Sequence, residues 1–157
     1  MKIAVRQVAR GMLFGSGALL AALVTIQLVP YGRAHHNPPV TSEPAWDSPR
    51  TRELAVRACF DCHSNETKWP WYAHVAPLSW AVQFDVDVAR EAANYSEWER
   101  PQPLAVYSGA RTHNGMMPPK KYIATHPLAN LTPEEREELA RGLDRTFGTP
   151  ETQAPPR

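Results

Sequence analysis

Only two cysteines occur in the 157 residues, so a structural zinc site, which takes four ligands, cannot be built from cysteine here. No acidic side chain precedes Glu43, although Lys2, Arg6, Arg10 and Arg33 all lie before it. The formal charge of +1 therefore hides an asymmetry: from Ala34 onward 13 basic side chains meet 16 acidic ones, a net −3. That part has no clustered basic face, which excludes a DNA- or RNA-binding footprint. No strand-like alternation stands out and no internal repeat is present, so the fold is expected to be mostly α. Glycine is sparse, at 8 residues against 16 prolines. That balance implies short elements joined by fixed turns and a modest core, of the kind a covalently bound cofactor would staple.

One long hydrophobic run is present. Residues 12 to 29, MLFGSGALLAALVTIQLV, carry no charge and follow Lys2, Arg6 and Arg10. Those 18 residues, if helical, reach roughly 27 Å at about 1.5 Å each, close to a hydrocarbon core of about 30 Å. They are expected to form one N-terminal transmembrane helix, with the basic flank in the cytoplasm and the rest of the chain exported. The competing reading is a cleaved signal peptide, with small residues at Gly32-Arg33-Ala34. The run exceeds the 7 to 15 residues of a usual signal core, which favours the anchor. Both readings export the domain.

The expected organisation is thus an anchor or signal segment over 1–33, an extended linker over 34–47, a helical domain over 48–148 and a disordered tail over 149–157. The linker is rich in proline and polar residues and holds His35 and His36, read as a solvated pair. Ser48-Pro49 is a helix start, a serine cap followed by proline at the first position. That helix runs straight into Cys59. A second helix is predicted from about Leu78 to Ala93, with Trp80, Phe84, Val88 and Ala92 as its apolar stripe. From Tyr95 to Thr125 prolines leave room only for short helical turns. Thr132-Pro133-Glu134-Glu135 is a capping box that opens the last helix, whose buried face is Leu139, Leu143 and Phe147 and whose stop is Gly148.

Residues 57 to 72, RACFDCHSNETKWPWY, hold both cysteines and a histidine directly after the second. Cys59-Phe60-Asp61-Cys62-His63 is the Cys-x-x-Cys-His pattern of covalent haem attachment. Two intervening residues let one turn of chain present both sulfurs to the two vinyl groups of one haem, with His63 as proximal ligand beneath the iron. A thioredoxin-type pair shares the Cys-x-x-Cys but needs a βαβ context, and none is visible. A disulfide between residues three apart is geometrically awkward. The iron then wants a sixth ligand, and NGMMPPKKY, residues 114 to 122, offers Met116 and Met117 in a loop stiffened by Pro118 and Pro119. A thioether favours Fe(II) and raises the potential. Met117, beside the prolines, is the preferred ligand over Met116. Trp69, Trp71, Tyr72 and Trp80 would pack a haem edge or the core, Arg90 or Lys68 could pair with a propionate, and His74, His113 and His126 are fallback ligands.

From Asn37 to about Leu143 the chain resembles the bacterial haem-binding domain family, whose members are cytochrome-c-like. The matching stretches are HNPPV, PAWDSPRTRELAVRACFDCHSNETKWPWY, APLSW, MPPKKY and HPLANLT. The resemblance implies a small helical domain around one covalent haem c on Cys59 and Cys62, with His63 proximal and the Met-Pro-Pro methionine distal. The doubled Met116-Met117 departs from the family pattern.

Three functions compete. The first is a membrane-tethered electron carrier, not an enzyme, anchored in a bacterial inner membrane with the haem domain in the periplasm. Its partners would be redox proteins, unspecified by the sequence, and the membrane through the N-terminal helix, with no nucleic acid. The second is a haem-based sensor or small catalyst in which the distal methionine is displaced, with His113 as the acid–base member. The third is a structural module stapled by haem. His/Met ligation, which leaves no open site on iron, favours the carrier.

Overall fold

In a computed structural model of the protein, which describes residues 2–153, helices account for 59 % of the chain. Its residues form two compact units, one from the chain up to His35 with Pro70–Phe84, the other from His36–Trp69 and from Asp85 onward.

The first unit opens with helix α1 (Lys2–Ile26). The expected transmembrane helix is not borne out: among the described residues no helix is long and apolar enough to cross a membrane. The reason is where the helix stops. Of the uncharged run 12–29 only the part up to Ile26 is helical, about 22 Å at about 1.5 Å per residue, short of a hydrocarbon core of about 30 Å. Gln27, Leu28 and Val29 instead donate to Val24, Thr25 and Ile26 carbonyls in tight turns. The Gln27 amide donates to Ala76 O at 2.9 Å and its oxygen accepts from Ala76 N at 3.0 Å, so this polar side chain ends the apolar stretch on a tertiary contact. Gly32, at φ 75°, lies where a Cβ would run into the Ser79 carbonyl.

In the second unit α2 (Pro49–Ala58) begins as its cap predicts, with Ser48 Oγ accepting from Thr51 N at 3.1 Å. One turn, α3 (Phe60–His63), follows. Helix α4 (Leu78–Ala92), whose residues up to Phe84 belong to the first unit, is present, but its inward face is not the predicted stripe. Phe84 and Val88 are 60 % and 47 % exposed, whereas Ser79, Val86 and Ala93 are buried. The half-buried Arg90 shares the Val86 side of the helix, and a polar residue there hides the periodicity. Between Tyr95 and Thr125 there are only short helices, α5 (Ser108–His113) and α6 (Lys120–Ile123), with a 3-10 turn at Ala105–Tyr107.

Helix α7 (Pro133–Phe147) carries the predicted capping box, Thr132 Oγ1 accepting from Glu135 N and Glu135 from Thr132 N, both at 3.1 Å. Leu139, Leu143 and Phe147 are buried against Leu54, Ala58 and Phe60. Two glycines let α7 approach its neighbours: a Cβ on Gly142 would overlap the Thr51 side chain of α2, and one on Gly109 of α5 would press on Asp144 and Ala140 O. The segment 149–157 holds a final helical turn, α8 (Pro150–Gln153); residues 154–157 of the expected disordered tail lie outside the described residues.

Residues 37–47 are extended, as their prolines require, yet they are not a free linker. Thr41 N donates to Ser96 O at 2.9 Å, Ser42 pairs with Glu97 in a single bridge, and Trp46 packs into an aromatic cluster with Phe60, Tyr95 and Phe147.

Candidate functional site

Helix α2 delivers Cys59 at its C-terminal end, where Cys59 N donates to Ala55 O at 2.8 Å. The N–H groups of Cys62 and His63 then both turn back to Cys59 O, at 3.1 and 2.9 Å. Both cysteines are free thiols, half-buried on one turn of chain. Burial, with Cys62 nearby, pushes the Cys59 thiol up to about 12. Burial, with Asp61 and Asp85 nearby, pushes Cys62 up to about 11. Both stay protonated at neutral pH, the reverse of the depressed thiol that thiol–disulfide exchange requires. Among the described residues no three His, Cys, Asp or Glu side chains gather into a set that could hold a metal ion.

His63 is oriented by its neighbours. Its Nδ1 lies 3.0 Å from Ala93 O. A carbonyl only accepts, so Nδ1 carries the proton and Nε2 keeps its lone pair. Burial holds the imidazole below its usual range, against the carbonyls of Ala93 and Ala89, so the ring is neutral. The ring stacks on buried Tyr95 at 5.7 Å, and Tyr95 N donates to His63 O at 2.7 Å. Tyr95 in turn stacks on Phe147 at 5.5 Å, which ties the histidine to α7.

A buried polar network behind this turn was not anticipated. Asn65, 3 % exposed, donates to Pro39 O and Glu97 Oε1 and accepts from Asn94 Nδ2 at 2.9 Å. Asn65 N donates to Ser96 Oγ, and Ser96 N to Asn94 Oδ1, both at 2.9 Å. Arg90, read as a propionate partner, is engaged otherwise: its guanidinium bonds Ser64 O, His36 O, Asn37 Oδ1 and Thr67 Oγ1 at 2.8–3.0 Å. The signal for this network was the polar residues Ser64, Asn65 and Thr67 on one segment and Asn94 and Ser96 on another, all of which turn out buried.

The methionine loop follows α5. Gly115, at φ 68°, adopts a backbone that favours glycine and reverses the chain. Met116 N and Met117 N both donate to Arg111 O, at 3.0 and 3.1 Å. Met116 is 61 % exposed, whereas Met117 is half-buried and followed by buried Pro118. Beyond the prolines, Tyr122 OH donates to Asp61 Oδ2 at 2.6 Å, between the two cysteines in sequence. Burial and the Asp61 carboxylate raise the phenol, so it keeps that proton.

The fallback histidines are otherwise occupied. His113 Nδ1 meets Glu137 Oε2 at 2.7 Å on the surface, His126 stacks on Tyr122 at 4.1 Å, and His74, in the first unit, packs on His35. Of the four aromatics expected at a haem edge, Trp69 donates to Asn37 Oδ1 and is in the unit of the motif; Trp71, Tyr72 and Trp80 belong to the first unit. Lys68 is exposed, with its N–H on Asp61 Oδ1.

The donor set fits a haem. The two free thiols lie on the same turn of chain as the imidazole. A neutral histidine with a fixed Nδ1–H and an available Nε2 lone pair has the carbonyl partner usual for metal-bound histidine. Comparison with curated proteins and with solved structures finds no match. The family model described as the haem-binding domain matches residues 21–145, most of the chain and the whole motif segment. The protein therefore belongs to the haem-binding domain family, and haem is its cofactor.

Proposed function

We propose that the protein is a c-type cytochrome that carries electrons on the exported side of a bacterial membrane. Cys59 and Cys62 would hold one haem c by thioether bonds, with His63 Nε2 as proximal and Met117 as distal ligand. The haem supplies a one-electron Fe(III)/Fe(II) couple. The observation that supports the reading is the 3.0 Å contact of His63 Nδ1 with Ala93 O, which leaves the Nε2 lone pair free to coordinate iron. Tyr95, stacked on the ring at 5.7 Å, would hold its orientation. Held by both His63 and Met117, the haem would supply electron exchange rather than an open site for substrate. Export is supported by Lys2, Arg6 and Arg10 preceding an uncharged run, and by the export that haem ligation to such a motif requires.

The sensor reading needs an acid–base group near the distal face. Its only member in the sequence, His113, is paired with Glu137 and 63 % exposed at the side chain, so the carrier is favoured. Acid–acetone extraction followed by mass spectrometry tests covalent attachment: haem should stay with the polypeptide. Met117→Ala should abolish the methionine–iron charge-transfer band, lower the potential and open ferrous iron to carbon monoxide, while Met116→Ala leaves all three nearly unchanged. Loss of haem into the solvent, or the opposite mutant pattern, overturns the respective assignment.

A further inference from the structure

Tyr122 belongs to the Met-Pro-Pro segment and is not among the ligands assigned above. It is five residues after Met117 and makes the shortest side-chain tie between that segment and the motif, 2.6 Å to Asp61 Oδ2. Asp61 stands between the two cysteines, and its other oxygen accepts from Lys68 N at 3.0 Å, so the carboxylate is fixed from its own side. The Tyr122 ring is fixed too, stacked on His126 at 4.1 Å and 17°. An O–H···O⁻ bond of this length is of the charge-assisted kind, roughly twice as strong as a neutral one. The neighbouring tie, Lys121 Nζ to Asp85 at 2.7 Å, is 67 % exposed on the lysine side and weak for that reason. At its other end the loop is held by backbone bonds, Asn114 N to Ala110 O, Gly115 N to Thr112 O, and Met116 N and Met117 N to Arg111 O.

We propose that Tyr122 is a positioning residue: its hydrogen bond to Asp61 latches the Met117 loop to the attachment turn and sets how long the methionine stays on iron. This rests on the ligand assignment above. The latch makes the distal ligand's strength a property of a side-chain bond anchored in the Cys-x-x-Cys-His turn itself.

The test compares full-length holoprotein variants by carbon monoxide binding to the ferrous form, by the methionine–iron band and by potential. Tyr122→Phe keeps the ring and its stacking but loses the hydroxyl. It should raise carbon monoxide accessibility roughly tenfold or more, the worth of a hydrogen bond to a charged group, weaken the band and lower the potential. Asp61→Asn, which keeps an acceptor, should give a partial effect, and Lys121→Ala less than a twofold one. Limited proteolysis of each variant should show faster cleavage within 114–125 for Tyr122→Phe. If Met117→Ala opens the iron and Tyr122→Phe does not, the latch is wrong while the ligand stands. If Met117→Ala leaves the iron closed, the ligand assignment fails and the latch falls with it.

Discussion

His63 and Met117 sit on segments built in opposite ways. The turn that carries His63 continues into Ser64, Asn65 and Thr67, all buried and bonded to Asn94, Ser96 and Arg90. The loop that carries Met117 has exposed Asn114 and Met116, two backbone bonds to Arg111 and the Tyr122 and Lys121 ties. Opening the first exposes several buried polar groups at once, each costing about 1–3 kcal/mol if left unpaired. Opening the second returns mostly surface groups to water. With His63 and Met117 as the ligands proposed above, the proximal side would be a fixed support and the distal side an adjustable one, which would suit a potential tuned by a weak thioether.

The comparison breaks most plainly at the ligands. His63→Ala should reduce the yield of haem-loaded protein by roughly tenfold or more, since the iron loses its oriented imidazole, whereas Met117→Ala should load normally; pyridine haemochrome content per polypeptide measures both. Equal loading of the two variants would remove the asymmetry. A smaller effect is expected behind the ligands. Asn65→Ala leaves Asn94 Nδ2 and Pro39 O without their partner and should cost about 2–3 kcal/mol in urea unfolding, against less than about 0.5 kcal/mol for Asn114→Ala on the exposed loop.

The smallest effect sharpens the comparison through pH. Arg57, on the helix that leads into Cys59, holds the Glu135 carboxyl down at about 2, below the ordinary 4.5, with Thr132 N and Arg50 adding to it. Because the folded state favours the charged form, this contribution is complete above pH 4.5 and disappears as pH falls towards 2. Acid should therefore loosen the proximal support, and thermal unfolding of Glu135→Gln should show a flatter pH dependence between about 4.5 and 2 than the parent. An unchanged slope would mean that the ion pair adds nothing there.

What was legible in the sequence was local. The caps at Ser48 and at Thr132 with Glu135 are bonds within three residues, so the starts of α2 and α7 could be read directly. The attachment motif likewise fits inside one turn. The inward face of α4 was misjudged because Arg90, a charged residue, lies on the Val86 side and bonds groups of the Asn37 and Thr67 segments. The length of the first helix was misjudged because Gln27, counted within an apolar run, bonds Ala76 49 residues away.

By itself the sequence determined the chemistry available: two thiols and an imidazole on one turn, a stiff methionine loop, and helices bounded by their own caps. Spacing and capping act over a few residues, where the chain's covalent geometry leaves few alternatives. Only the tertiary structure decided which nitrogen of His63 carries the proton, through Ala93 30 residues on, and which side chain ties the methionine loop to the motif, through Tyr122 and Asp61 61 residues apart. Such partners leave no periodic trace, because a hydrogen bond between distant segments depends on how helices pack rather than on where they begin.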